Sequence, residues 1–207
     1  MSKIKTTSTV EIRNGEKPFS IEFPESRMRH CHNVGLKMYY YAKERQGASE
    51  ELARDMYLLG MLHDIGYGFH PDAFLHEEYM CKTLNSSTDG NYKYTKEILF
   101  HSKYQAEYDS PAMRLLYFAD ATVDAMGNWV TYEERLSDLE TRYGIESEVY
   151  IESKLIADKC IEWGLDDKFV PKEVSTNFEK VDEQAVFRGE EKHVPKSIEE
   201  FNEIGID

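Results

Sequence analysis

Several side chains able to hold a metal ion recur along the first two thirds of this chain at helical spacing: His30, the adjacent pair His63-Asp64, His76, His101 and Asp120. Each falls on or beside the apolar face of a predicted helix. His30 shares a face with Val34, Met38 and Tyr41, and His63 with Leu52, Met56 and Leu59. His101 follows Tyr94 and Ile98, and Asp120 follows Met113 and Leu116. A single histidine on such a face is commonly a packed, hydrogen-bonded core residue. Imidazoles and carboxylates converging from successive helices need another explanation, because each buried polar group without a partner costs roughly several kcal/mol. A shared divalent ion, or two, removes that cost. A donor set of imidazole and carboxylate without thiolate suits Fe, Mn, Co or Zn and disfavours Cu(I).

The elements that must position these residues can be read from the pattern. Two short β-leaning runs flank Asn14-Gly15 and suggest a hairpin in an N-terminal arm, residues 1–23. From Pro24 the period becomes helical. Helices are expected over about 25–45, from Ser49 to the glycine at 66, over 72–84, over 92–104, from Ser110-Pro111 to Gly127, from the capping box Thr131–Glu134 to Gly144, and over 147–163. After residue 165 the chain turns polar, and an irregular solvated tail is expected over 166–207. The fold class is therefore all-α, a compact helical bundle with a short arm and a polar extension.

Lys and Arg number 25 against 39 Asp and Glu, a formal charge of −14. A surface this acidic repels phosphate backbones and makes duplex nucleic acid a poor partner. Cys31, Cys81 and Cys160 are scattered and form no CxxC pair, which fits a reducing cytosol better than a disulfide framework. No apolar run approaches the roughly 20 residues of a membrane span, and the N-terminus has no apolar signal core. A cytoplasmic protein is expected, with no membrane partner.

The ordered residues "RMRHCHNV" (Arg27–Val34), "LHDIG" (Leu62–Gly66) and "FAD" (Phe118–Asp120) resemble the HD superfamily of metal-dependent phosphohydrolases. Two further histidines, in "HEEYM" and "ILFHS", resemble its two-metal subset. The spacing is most similar to small single-domain members such as symmetrical diadenosine tetraphosphatases. The resemblance covers about residues 24–165. It implies that Asp64 bridges two divalent ions, that His30, His63 and Asp120 complete one coordination sphere, and that His76 and His101 complete the other. Asp64 and His63 would stand at the catalytic centre. A hydroxide held between the ions would attack a phosphoester or phosphoanhydride of a small nucleotide. Two carboxylates leave such a site net positive, which draws in phosphate despite the acidic surface.

Some positions depart from the family pattern or stay open. Tyr67 stands where many relatives carry Lys or Arg after the HD motif. His70, before Pro71 on a predicted loop, competes with His76 for the third histidine position and could instead face substrate. His32 points about 200° away from His30 on a helix and is not expected to be a ligand, and His193 lies in the polar tail. Arg27 and Lys103 are candidate contacts to substrate phosphate, Arg27 also to a ligand carboxylate. Tyr67 and Phe69 could stack on a base, and Asp124 could orient a ligand. Alternative functions are an HD-type nuclease on single-stranded nucleic acid and a non-catalytic metal-binding interaction protein. A homo-oligomer is left open. Alarmone hydrolases of the superfamily carry a Glu-Asp pair shortly after the HD motif, which "IGYGFHPDAF" lacks.

Overall fold

A computed structural model describes residues 7–14, 17–68, 76–87 and 92–172. The fold is all-α apart from one ribbon. Strand β1 (Thr7–Asn14) pairs antiparallel with β2 (Lys17–Pro24), with Thr7 opposite Pro24 and Asn14 opposite Lys17. The turn expected at Asn14-Gly15 includes Gly15, which lies outside the described residues. The chain then forms α1 (Glu25–Arg45), α2 (Glu50–Leu62), a 3-10 turn (Ile65–Gly68), α3 (His76–Ser87) and α4 (Thr95–Phe100). A second 3-10 turn (Ala106–Tyr108) precedes α5 (Pro111–Asp120), α6 (Tyr132–Tyr143) and α7 (Glu148–Glu162).

Helix starts follow side-chain chemistry. Ser49, Ser110 and Ser147 each accept a hydrogen bond from the backbone N–H three residues on, and Thr131 with Glu134 closes a capping box. Helix ends were less legible. The fourth helix, expected over 92–104, spans only Thr95–Phe100; beyond it the Tyr117 hydroxyl on α5 donates to the carbonyls of Phe100 and Lys103 at 3.2 and 2.8 Å. The fifth was expected to run to Gly127 but stops at Asp120. The Thr122 hydroxyl turns back onto the Phe118 carbonyl at 2.6 Å, and Val123 bridges Trp129 across the loop that follows. The third begins at His76, and residues 72–75 of its expected span are outside the described residues.

The two longest-packed helices meet at glycines. A Cβ on Gly60 would lie 2.6 Å from the Gly35 Cα, and one on Gly35 would lie 2.7 Å from the Tyr57 carbonyl oxygen. Only glycine permits that approach. It presses α2 onto α1 and brings the rings of His30 and His63 to 5.4 Å between centroids. Around this contact Val34, Met38, Leu59, Ile98, Leu116 and Phe118 form a buried core, each such side chain worth about 1.5–3 kcal/mol of burial. Leu52, expected on the inward face, sits in the first turn of α2 and is 45% exposed.

Residues 165–172 pack on the bundle rather than leaving it. The Phe169 ring lies 5.0 Å from that of Tyr41, and the Asp167 carboxylate accepts from the Tyr132 N–H at the start of α6. Residues 173–207, including His193, are outside the described residues. Among the described residues no helix is long and apolar enough to cross a membrane.

Candidate metal centre

Each of the five elements that carry the candidate ligands delivers them to one place. His30 comes from the second turn of α1. His63 follows directly on α2, and Asp64 follows His63. His76 opens α3, His101 caps α4 and Asp120 ends α5. His30, His63, Asp64, His76 and His101 are buried, while the Asp120 side chain is 29% exposed.

The geometry is organised around Asp64. Its Oδ2 lies 3.8 Å from His30 Nε2 and 3.6 Å from His63 Nε2. Its Oδ1 lies 3.1 Å from His76 Nε2 and 3.3 Å from His101 Nε2. One carboxylate therefore turns one oxygen to each of two imidazole pairs. Asp120 Oδ1 adds a second carboxylate to the first pair, 3.0 Å from His30 Nε2 and 3.7 Å from His63 Nε2.

The opposite nitrogens explain the ring orientations. His30 Nδ1 meets the Asp124 carbonyl at 2.9 Å, His63 Nδ1 the Gly60 carbonyl at 2.6 Å, and His101 Nδ1 the Ile98 carbonyl at 2.8 Å. A carbonyl can only accept, so each Nδ1 carries a hydrogen and each Nε2 faces inward. This is the arrangement that fixes metal-ligating imidazoles. The Nε2 atoms of His30 and His63 are buried and find no hydrogen bond, a costly state unless something else binds them. Groups of these residues lie close enough to hold a metal ion: His30, His63 and Asp120; His63, Asp64 and His101; and His76, Glu77 and His101.

Electrostatics keep the carboxylates charged. Burial alone would raise the Asp64 carboxyl, but His63, Arg27, His101 and His76 hold it well below the usual carboxylate range. Asp120 is held low in the same way by His30 and His63 against its burial. Burial lowers the His101 imidazole, and the facing carboxylates, Asp64 first, outweigh it and push it up to about 9. A cation bound at His101 Nε2 would have to displace a proton held there.

The neighbouring candidates sort themselves clearly. Arg27 Nη1 donates to Asp64 Oδ2 at 2.6 Å, and its guanidinium lies 4.5 Å from the centre of the Tyr67 ring. The Tyr67 ring stacks on His76, centroids 3.9 Å apart and planes 14° apart, and so braces a candidate ligand. Asp124 meets His30, a candidate ligand, through its backbone carbonyl; its carboxylate accepts from the N–H groups of Met126 and Asn128. Lys103 is turned to the surface, where its Nζ donates to Glu148 on α7 at 2.6 Å. His32 is buried away from the cluster, with Nδ1 2.9 Å from the Tyr57 hydroxyl. His70 and Phe69 lie outside the described residues, so among the described histidines it is His76 that joins the cluster. The three cysteines are free and buried, and among the described residues no candidate metal group includes them.

Two further residues were not found from the sequence. Glu77, buried beside His101 with Oε1 3.9 Å from its Nδ1, reads in sequence as an ordinary acidic residue of a first helical turn. Gly66 was expected to end a helix. Instead it makes room, since a Cβ there would lie 1.9 Å from the His76 carbonyl oxygen. Compared with protein-family models, curated proteins and solved structures, the chain matches none.

Proposed function

We propose that this chain is a metal-dependent phosphohydrolase that cleaves a phosphoester or phosphoanhydride of a small nucleotide, with Asp64 shared between two divalent cations. One observation carries it: the two oxygens of Asp64 face separate imidazole pairs, while buried Nε2 atoms of His30 and His63 lack hydrogen bonds. His30, His63, Asp120 and Asp64 Oδ2 would hold one ion, and His76, His101 and Asp64 Oδ1 the other. Fe, Mn, Co and Zn all suit these donors. When bound, the ions supply Lewis acidity toward phosphoryl oxygens and a water of lowered pKa.

The chain's own groups do the rest. The backbone carbonyls of Gly60, Ile98 and Asp124 hold three imidazoles in the tautomer that presents Nε2. Arg27 fixes Asp64 Oδ2 and adds a positive charge beside the site. Tyr67 packs on His76 and limits its rotation. Asp120 is the partly exposed ligand, so substrate reaches the centre from its side. Cationic ligation there offsets the repulsion of an acidic surface.

The test is metal analysis of the purified chain, paired with hydrolysis of dinucleoside polyphosphates, nucleoside monophosphates and cyclic nucleotides. Metal-dependent release of phosphate or nucleotide, lost in Asp64→Ala, is expected. A metal-loaded chain inert on the whole panel overturns the proposal. Cleavage of single-stranded nucleic acid alone would replace it with the nuclease reading.

A further inference from the structure

Tyr67 occupies the position where a cation would meet phosphate, and Lys103 pairs with Glu148. The other candidate cation, Arg27, is tied to Asp64 Oδ2, so all the cations read from the sequence are engaged. The structure supplies another from an element outside the motif. A cavity of about 30 Å³ lies between α5, α6 and α7, and its lining includes the ligands His101 and Asp120 together with Arg135 and Ser153. Arg135 is on the first turns of α6, and its side chain is only 14% exposed. Its Nη1 is buried and makes no hydrogen bond. The carboxylate paired with it, Asp138, stands 3.5 Å away and is already held by Arg142 through both oxygens. A buried guanidinium donor with so loose a partner, beside a cavity, is set up for an anion.

The size of the cavity selects the kind of anion. At about 10–15 Å³ for each water, it has room for about two waters. It cannot take a nucleoside, but displacing that water admits the oxygens of a single phosphoryl group. The Asp120 carboxylate would repel such a group in the metal-free chain, and ligated cations would reverse that. We propose, resting on the two-metal phosphohydrolase reading, that Arg135 and Ser153 form an oxyanion subsite that receives a phosphoryl group of the substrate, or the phosphate released from it, beside Asp120 and His101. The nucleoside then lies outside the cavity, toward solvent. Substrate phosphate is thus oriented by two helices of the bundle, α6 and α7, that carry none of the candidate metal ligands.

The experiment uses the full chain loaded with Mn²⁺ and measures inorganic phosphate binding by calorimetry, with metal content and circular dichroism read in parallel. Arg135→Gln is expected to weaken phosphate binding by about tenfold or more, the loss typical of a hydrogen bond to a charged group, with metal content unchanged. Arg135→Lys should recover part of it. Ser153→Glu places a carboxylate in the cavity and should abolish phosphate binding; it serves as the independent variant if Arg135→Gln fails to fold. Removal of metal with a chelator should also weaken phosphate binding. Phosphate affinity within about twofold of wild type in either folded variant overturns the subsite, as does a wild-type chain that binds no phosphate at millimolar concentration. The two proposals fail separately. Phosphate bound through Arg135 by a chain that hydrolyses nothing keeps the subsite and removes the phosphohydrolase. Hydrolysis with unchanged KM and phosphate affinity in Arg135→Gln does the reverse. If both hold, a raised KM in Arg135→Gln assigns the bound group to the substrate, whereas weaker product inhibition with unchanged KM assigns it to released phosphate.

Discussion

Helix α1 buries three polar side chains within about two turns, and they live in different surroundings. His32 and Lys37 each face a neutral oxygen: Nδ1 of His32 meets the Tyr57 hydroxyl, and Nζ of Lys37 donates to the Thr122 carbonyl at 3.2 Å. Burial pushes His32 down to about 4 and Lys37 down to about 7. His30, equally buried, faces two carboxylates with an Nε2 that makes no hydrogen bond. Burial alone therefore does not mark a ligand. What distinguishes His30 is that its outer nitrogen is fixed by a carbonyl while its inner one meets charge shared with other helices. The first two residues are solutions to packing, and the third presents a nitrogen that could bind a cation.

That contrast can be broken or sharpened by substitution. The largest effect should come from Asp64→Asn, which keeps the shape and removes the shared charge. It should leave the chain without tightly bound metal and reduce hydrolysis by more than the roughly 100-fold typical of losing an outer partner of a ligand. Mass-spectrometric metal analysis and turnover check both. Retained metal would remove Asp64 from the ligand set.

Lys37→Met comes next and concerns stability alone. The folded pKa of Lys37, about 7, lies below its unfolded value of 10.5. The native state then binds fewer protons across that window. Stability is full above the unfolded pKa and is lost as pH falls through the folded one, by on the order of 5 kcal/mol. Urea unfolding between pH 7 and 10.5 should show this slope in the wild type and not in Lys37→Met, which should be the more stable protein at pH 7. Metal content should be unchanged in both.

Gly66→Ala should be smaller and should fall on the ligand side of the contrast. The added methyl meets the His76 carbonyl, so α3 must shift, at a cost of about 1–3 kcal/mol. Thermal unfolding should detect that loss, and metal affinity should drop because His76 moves with its backbone. His32→Phe should be the mildest. It leaves the Tyr57 hydroxyl buried without its imidazole partner, a loss of about 1–3 kcal/mol, with metal stoichiometry preserved. A fall in metal content would show that His32 supports the cluster after all.

Much of the candidate site was legible before any coordinates. His30, His63, Asp64, His76, His101 and Asp120 stand out because imidazole and carboxylate on apolar helical faces are expensive to bury, and the 3.6-residue period shows which face each occupies. Serine and threonine caps marked the starts of α2, α5, α6 and α7 for a similar local reason. Helix ends were less legible, since α4 and α5 stop where side chains from elsewhere or from the following turn capture carbonyls. Glu77 and Arg135 were not legible because charged residues are common on helix surfaces. Only their position relative to His101 and the cavity sets them apart.

Sequence by itself determined the inventory: donor types, their order along successive helices, and the apolar faces that carry them inward. Tertiary structure decided the arrangement. Periodicity specifies the angle of a side chain around its own axis but not its distance to the next helix. That distance was set by the Gly35–Gly60 contact, which lets α1 and α2 close, and by Gly66, which lets the start of α3 reach the turn after Asp64. Those approaches divide the two oxygens of Asp64 between two pairs of imidazoles.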